Sequence, residues 1–122
     1  MISTAIQAKC SNIIKNTFFV MGDEAIKVPY CVHREVLSDI FRNKETIHLY
    51  NWDVEVVIIH NSPDALGSYA ASIISAIEGL AGTTTNNTTF TASKFEGTEP
   101  DFDTKDRLYI NILKFNIDSI NL

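Results

Sequence analysis

Between Ser62 and Leu80 the apolar residues return every three or four positions. Leu66, Tyr69, Ala70, Ile73, Ile74, Ile77 and Leu80 draw one continuous stripe, the period of an amphipathic α-helix. The start is marked by Ser62 as a cap, Pro63 at the first helical position and Asp64 in the first turn, where the helix dipole favours an acid. Gly79 and Gly82 close the segment, Gly82 being the better left-handed cap. A second helical stripe opens the chain: Ile2, Ala5, Ile6, Cys10, Ile13, Ile14 and Thr17 predict a helix from Ile2 to about Lys15. Phe18-Phe19-Val20 then reads as an apolar plug for the core, and Met21 to Glu24 as a turn.

Elsewhere the period is two. In Ile47 to His60, Tyr50, Trp52, Val54, Val56 and Ile58 alternate with Asn51, Asp53, Glu55 and Val57, so a strand with one buried face is expected. The alternation relaxes at Val57-Ile58-Ile59, as it does where both faces are covered. Ala25 to Leu37 is a further strand. Cys31, His33, Glu35 and Leu37 lie on one side and Val28, Tyr30, Val32, Arg34 and Val36 on the other. Pro29, which cannot donate to a ladder, marks an edge or the point where pairing begins. Ser38 to Thr46 reads as a polar connection. After the threonine-rich run Thr83 to Thr89 come a weak strand, Phe90 to Phe95, an acidic loop, Glu96 to Asp106, and a last strand, Arg107 to Ile117. In the last strand the apolar positions switch parity, from Leu108, Ile110 and Ile112 to Leu113, Phe115 and Ile117, which predicts a bulge or burial on both faces. The sum is one α+β domain over residues 1–122, in the order α-β-β-α-β-β, with an antiparallel sheet covered by two amphipathic helices.

Composition changes this picture little. A chain of 122 residues, 45% hydrophobic and 20% charged, is long enough to bury a core without staples. The net charge of −5 argues against a duplex nucleic-acid binder, which needs a positive field. No apolar run is long enough to span a membrane, and Met1 to Ala5 lacks the pattern of a secretory signal. Cys10 and Cys31 read as buried free thiols in a reducing compartment, with a disulfide as the alternative.

Candidate chemistry is sparse. The acids Glu96, Glu99, Asp101, Asp103 and Asp106 lack the glycine and terminal glutamate of a calcium loop, so a solvated turn is expected. His33, His48 and His60 are scattered without metal-ligand spacing, and no glycine cluster forms a phosphate loop. Tyr30, Tyr50 and Trp52 are a stacking platform for single strands or, in these apolar surroundings, core. Cys31 and His33, two apart on a strand, point to one side and are the only thiol–imidazole candidate for a small enzyme or ligand-binding domain. No catalytic, cofactor or metal residues are otherwise expected.

The order of elements resembles a known family. Pro29-Tyr30-Cys31-Val32-His33-Arg34 is similar to its first-strand start. Val54 to Asp64, the helix stretch Ala70 to Ile77, Phe95-Glu96-Gly97-Thr98-Glu99 and Arg107 to Ile112 follow in its sequence of elements. Over about Ile2 to Ile117 the layout resembles the tail terminator, or tail completion, proteins of tailed bacteriophages. That resemblance implies a non-enzymatic structural protein. It assembles in the host cytoplasm into a homo-oligomeric ring, a hexamer favoured and a dodecamer the alternative, in the tail or neck of the virion. The ring joins the tail tube to the head connector, and DNA passes through it without specific binding. The polar connection and the threonine-rich run depart from the pattern and fit equally a head-to-tail adaptor or stopper ring at the portal. The expected subunit contacts lie in the two connections, at Phe95, Glu96, Asp101, Phe102 and Asp103, and at Asn43 and Lys44.

Overall fold

The computed structural model describes residues 2–19, 27–42, 48–85 and 87–120. Its elements are α1 (Ile2–Ser11), β1 (Thr17–Phe19), β2 (Tyr30–Arg42), β3 (His48–His60), α2 (Pro63–Glu78), β4 (Thr84–Thr85), β5 (Thr88–Asp103) and β6 (Leu108–Ile120). The strands form one sheet in the order β1-β2-β3-β6-β5-β4. The α+β architecture with two covering helices is therefore as the sequence predicts, with two short strands added. All pairings are antiparallel except β1 with β2, which is parallel.

Both helices lie on one side of the sheet. From α1, Ile2, Ala5, Ile6 and Cys10 are buried, and from α2, Leu66, Ala70, Ile73 and Ile77. They enclose a core with Cys31 of β2, Val54, Val56 and Ile58 of β3, Phe90 of β5, and Leu113, Phe115 and Ile117 of β6. The period-two reading of β3 thus placed the right side inward. Ile58 and Ile59 are both buried although they point to opposite sides, as the relaxed alternation there predicts. Helix α2 starts as its sequence dictates: the Ser62 side chain accepts from the Ala65 N–H at 3.3 Å, and Pro63 follows. It ends earlier than Leu80, with Gly79 as a right-handed cap. Gly82 has φ of +84° and turns the chain so that its N–H reaches the Phe90 carbonyl at 2.7 Å.

Four expectations are corrected. The first helix stops at Ser11, where the Ile13 N–H takes the Cys10 carbonyl three residues back and interrupts the four-residue bonding, yet Ile14 stays buried. Phe18 and Phe19 do not plug the core. They belong to β1, and Phe19 is 54% exposed. Of the polar connection, Ser38 to Arg42 is strand: β2 runs on to pair Asp39 with Asn51, Ile40 with Tyr50 and Phe41 with Leu49. A register shift between Leu37 and Asp39 absorbs the break in alternation. The acidic loop is also strand, because β6 supplies a ladder as far as Asp103 with Leu108. The acids Glu96, Glu99, Asp101 and Asp103 are tolerated there because this part of β5 is at the sheet's edge and faces water. Pro100 is accepted for the related reason that an edge strand can lack an N–H.

The parity switch has a specific cause. Leu113, Phe115, Ile117 and Ser119 are buried under the helices, while Leu108, Ile110 and Ile112 take the other parity. The bulges are in the neighbouring strand β5, at Phe90/Ala92 and Phe95/Gly97, and not in β6 itself. Gly97 has φ of +144°, which the second bulge requires and a side chain rarely adopts.

Candidate assembly interface

Of the expected contact residues of the second hairpin, Asp101, Phe102 and Asp103 lie at its tip, whereas Phe95 and Glu96 lie in mid-strand beside Phe115 and Lys114. Phe102 and Tyr109 oppose each other across β5 and β6, with ring centroids 4.9 Å apart, and Phe102 remains 42% exposed. The tip is held by Asp103, whose Oδ1 accepts the N–H groups of Lys105 (3.0 Å) and Asp106 (3.3 Å). Asp101 Oδ1 accepts the N–H of Phe102 at 2.8 Å, which leaves its charge outward on the edge. Glu96 is exposed beside the Gly97 bulge. Glu99 pairs with Lys114 across the ladder at 3.1 Å, and that carboxylate raises the lysine's pKa by hydrogen bonding and charge. Phe95 differs from the others: half-buried, it packs on Phe115 at 5.5 Å and presents only part of its ring. Asn43 and Lys44 lie outside the described residues.

A second set overlaps the other connection expected to make subunit contacts, in which only Asn43 and Lys44 were singled out. On β2, Val36 (41%), Leu37 (38%) and Phe41 (54%) are exposed, and a shallow cleft of about 440 Å³ follows Leu37, Ser38, Asp39 and Ile40. Reading Ser38 to Thr46 as a connection hid this surface. The signal was the pair Ile40-Phe41, two large apolar residues in a stretch otherwise polar.

The side of the sheet away from the helices carries a polar lattice. Asn51 Nδ2 donates to Asn116 Oδ1 (2.8 Å) and Asp118 Oδ1 (2.6 Å), and Asn116 Nδ2 donates to Asn51 Oδ1 (3.1 Å) and Asp53 Oδ1 (3.2 Å). Two amides thus shield two carboxylates on adjacent strands, a cross-strand pairing that favours this register.

The thiol–imidazole candidate resolves differently. Cys31 and His33 do face one side, under α1, and both are fully buried. Gln7 of α1 donates to the Thr17 carbonyl at 2.9 Å, so its amide oxygen is the atom that meets His33 Nε2 at 2.6 Å. Nε2 therefore carries a hydrogen. His33 Nδ1 meets Glu35 Oε1 at 2.6 Å, and Glu35 Oε2 is buried without a partner. With both ring nitrogens engaged, neither is available to activate Cys31. The Cys31 thiol instead interacts with that of Cys10. That hydrogen bond, followed by burial, raises the Cys10 pKa far above the usual thiol range. The two cysteines are free thiols, as expected. The nearby cleft of about 360 Å³, lined by Ser3, Thr4, Gln7, Phe19 and His33, does not reach Cys31.

The aromatic platform also separates. Trp52 opposes Leu37 on the helix side and donates to Ser119 Oγ at 3.0 Å, whereas Tyr30 has the opposite parity on its strand. Among the described residues no group of three or more His, Cys, Asp or Glu side chains is arranged to hold a metal ion.

No protein-family model matches this chain, and no curated protein matches it. Its fold is shared with a solved structure: a chain of the virion of a native gene transfer agent particle. The two superpose with a TM-score of 0.68 at 12% identity, over 98% of this chain and 97% of that one.

Proposed function

We propose that this protein is a structural subunit of a phage-type virion, a tail terminator that forms a ring at the head-proximal end of the tail and joins the tail tube to the head connector. The observation that carries this reading is the near full-length likeness to a chain of a gene transfer agent virion. A shared layout across almost the whole of both chains suits a subunit whose role is its shape. The resemblance of its strand and helix motifs to tail terminators supplies the finer assignment. In this reading the protein is no enzyme: its one thiol–imidazole pair is spent on internal contacts. Its partners are further copies of itself, the tail tube and the portal-side proteins. DNA passes the ring without being gripped, since an acidic chain repels a sliding phosphate backbone. It assembles in the host cytoplasm and resides in the virion neck.

Negative-stain imaging and native mass measurement of the purified protein test this directly. Rings, formed alone or on added tail tubes, are the expected result. A monomer under all these conditions sinks the proposal. Caps on tail tubes identify a terminator, and binding to portals instead identifies an adaptor or stopper ring. Within the ring the second hairpin is a subunit contact, so Phe102→Asp is expected to abolish rings while circular dichroism stays that of the wild type.

A further inference from the structure

The sheet has two long outer edges of unequal character. Among the described residues, β1 pairs with β2 only at Cys31 to His33, so no strand covers β2 from Arg34 to Arg42. At the other end β4 pairs only with Thr88 and Thr89, which leaves β5 uncovered from Thr91 to Asp103. A row of free backbone N–H and C=O groups on an edge is a template for pairing with another chain. The β2 edge is only partly protected: its free stretch has charged residues and a register shift at Leu37/Asp39 but no proline and no lysine, and it exposes Val36, Leu37 and Phe41.

We propose that the free edge of β2 in one copy pairs, antiparallel, with the free edge of β5 in the next, so that the subunits join into one continuous sheet. This rests on the ring reading above and specifies its contact. The strand directions support it: β2 and β6 run one way, β3 and β5 the other. Rotation about an axis along the strands preserves these directions, so β5 of one copy meets β2 of its neighbour antiparallel. The contact is head-to-tail, using two different surfaces, and such contacts form a ring when the rotation between copies closes.

The register adds a charge argument. Across the ladder Arg34 stands level with Gly97 through Glu55 and Lys114, and Val36 stands level with Lys94 through Asp53 and Asn116. Cyclic symmetry carries no translation along its axis, so strands running along that axis keep these levels at the junction. Glu96, beside Gly97, then faces Arg34 of the neighbouring copy. Lys94 lies within one or two residues of Asp39, which is level with Ala92. All four side chains are exposed. The two edges therefore present a positive-then-negative pair against a negative-then-positive pair.

Charge exchange tests the pairing. Arg34→Glu and Glu96→Arg, each alone, are expected to weaken subunit association on the order of tenfold or more, read by native mass spectrometry across a dilution series. The double variant is expected to recover rings. Circular dichroism, unchanged in all three, keeps a folding defect from mimicking the result. If the wild type forms rings and both single variants form them equally well, the edge pairing is overturned and the ring reading stands. The same holds if the double variant stays monomeric while the wild type forms rings. A wild type that is monomeric even with tail tubes or portals overturns both.

Discussion

At the scale of single residues, two buried clusters under α1 make distinct predictions. Cys10 keeps its proton in the folded chain because of the Cys31 thiol and burial, whereas in the unfolded chain it ionises near the ordinary thiol value of about 8.5. Above that pH the unfolded state binds fewer protons than the folded one, so stability falls as pH rises, and this contribution is complete below it. Native protein at pH 9 should therefore react with maleimide far more slowly than protein in urea. Cys10→Ala should lose its share of the alkaline fall in urea-melt stability. The second cluster hangs on Gln7, whose amide holds both His33 Nε2 and the Thr17 carbonyl. Gln7→Ala leaves a buried imidazole N–H without its acceptor, for a cost of about 1–3 kcal/mol in urea denaturation. Cys31 and His33 were legible as neighbours from their spacing of two. That each would find a partner other than the other was not, because Cys10 and Gln7 come from a distant helix.

At the scale of elements, α2 is the part most completely written in local sequence. Its cap, its proline and its apolar stripe all agree, which is why its start fell where predicted. Ser62→Ala should cost about 1 kcal/mol by removing the acceptor for the Ala65 N–H. Phe115 lies at the junction of elements, under the helices and against Phe95. Phe115→Ala should cost about 3–5 kcal/mol in the same measurement, since no neighbour can collapse into a space bounded by a sheet on one side. The strands were less legible at their ends. Residues 38–42 and 96–103 are polar or acidic and carry little strand propensity. They extend because a partner strand, His48 to Asn51 in one case and Leu108 to Leu113 in the other, holds out a ladder.

At the scale of the whole molecule, one face of the sheet is sealed by helices and the other keeps a lattice of asparagine and aspartate. Among the described residues, long stretches of the β2 and β5 edges pair with no further strand. If subunits add through those edges, apparent stability must follow mass action, because a neighbour binds the folded chain alone. The melting temperature should rise with protein concentration in the wild type and stay flat in Arg34→Glu. Phe102 and the β2 edge belong to this scale: each is an apolar surface left exposed among the described residues.

The sequence by itself determined the α+β class, the side of β3 that faces inward, the cap and stripe of α2, and the burial of both cysteines. Each of these depends on periodicity or on residues a few positions apart. The tertiary structure alone decided how far β2 and β5 run, which strand carries the bulges, what His33 and Cys31 bond to, and which backbone edges stay free. Those outcomes depend on a ladder held out by a partner strand or on a helix from another part of the chain, and no local pattern encodes the arrival of such a partner.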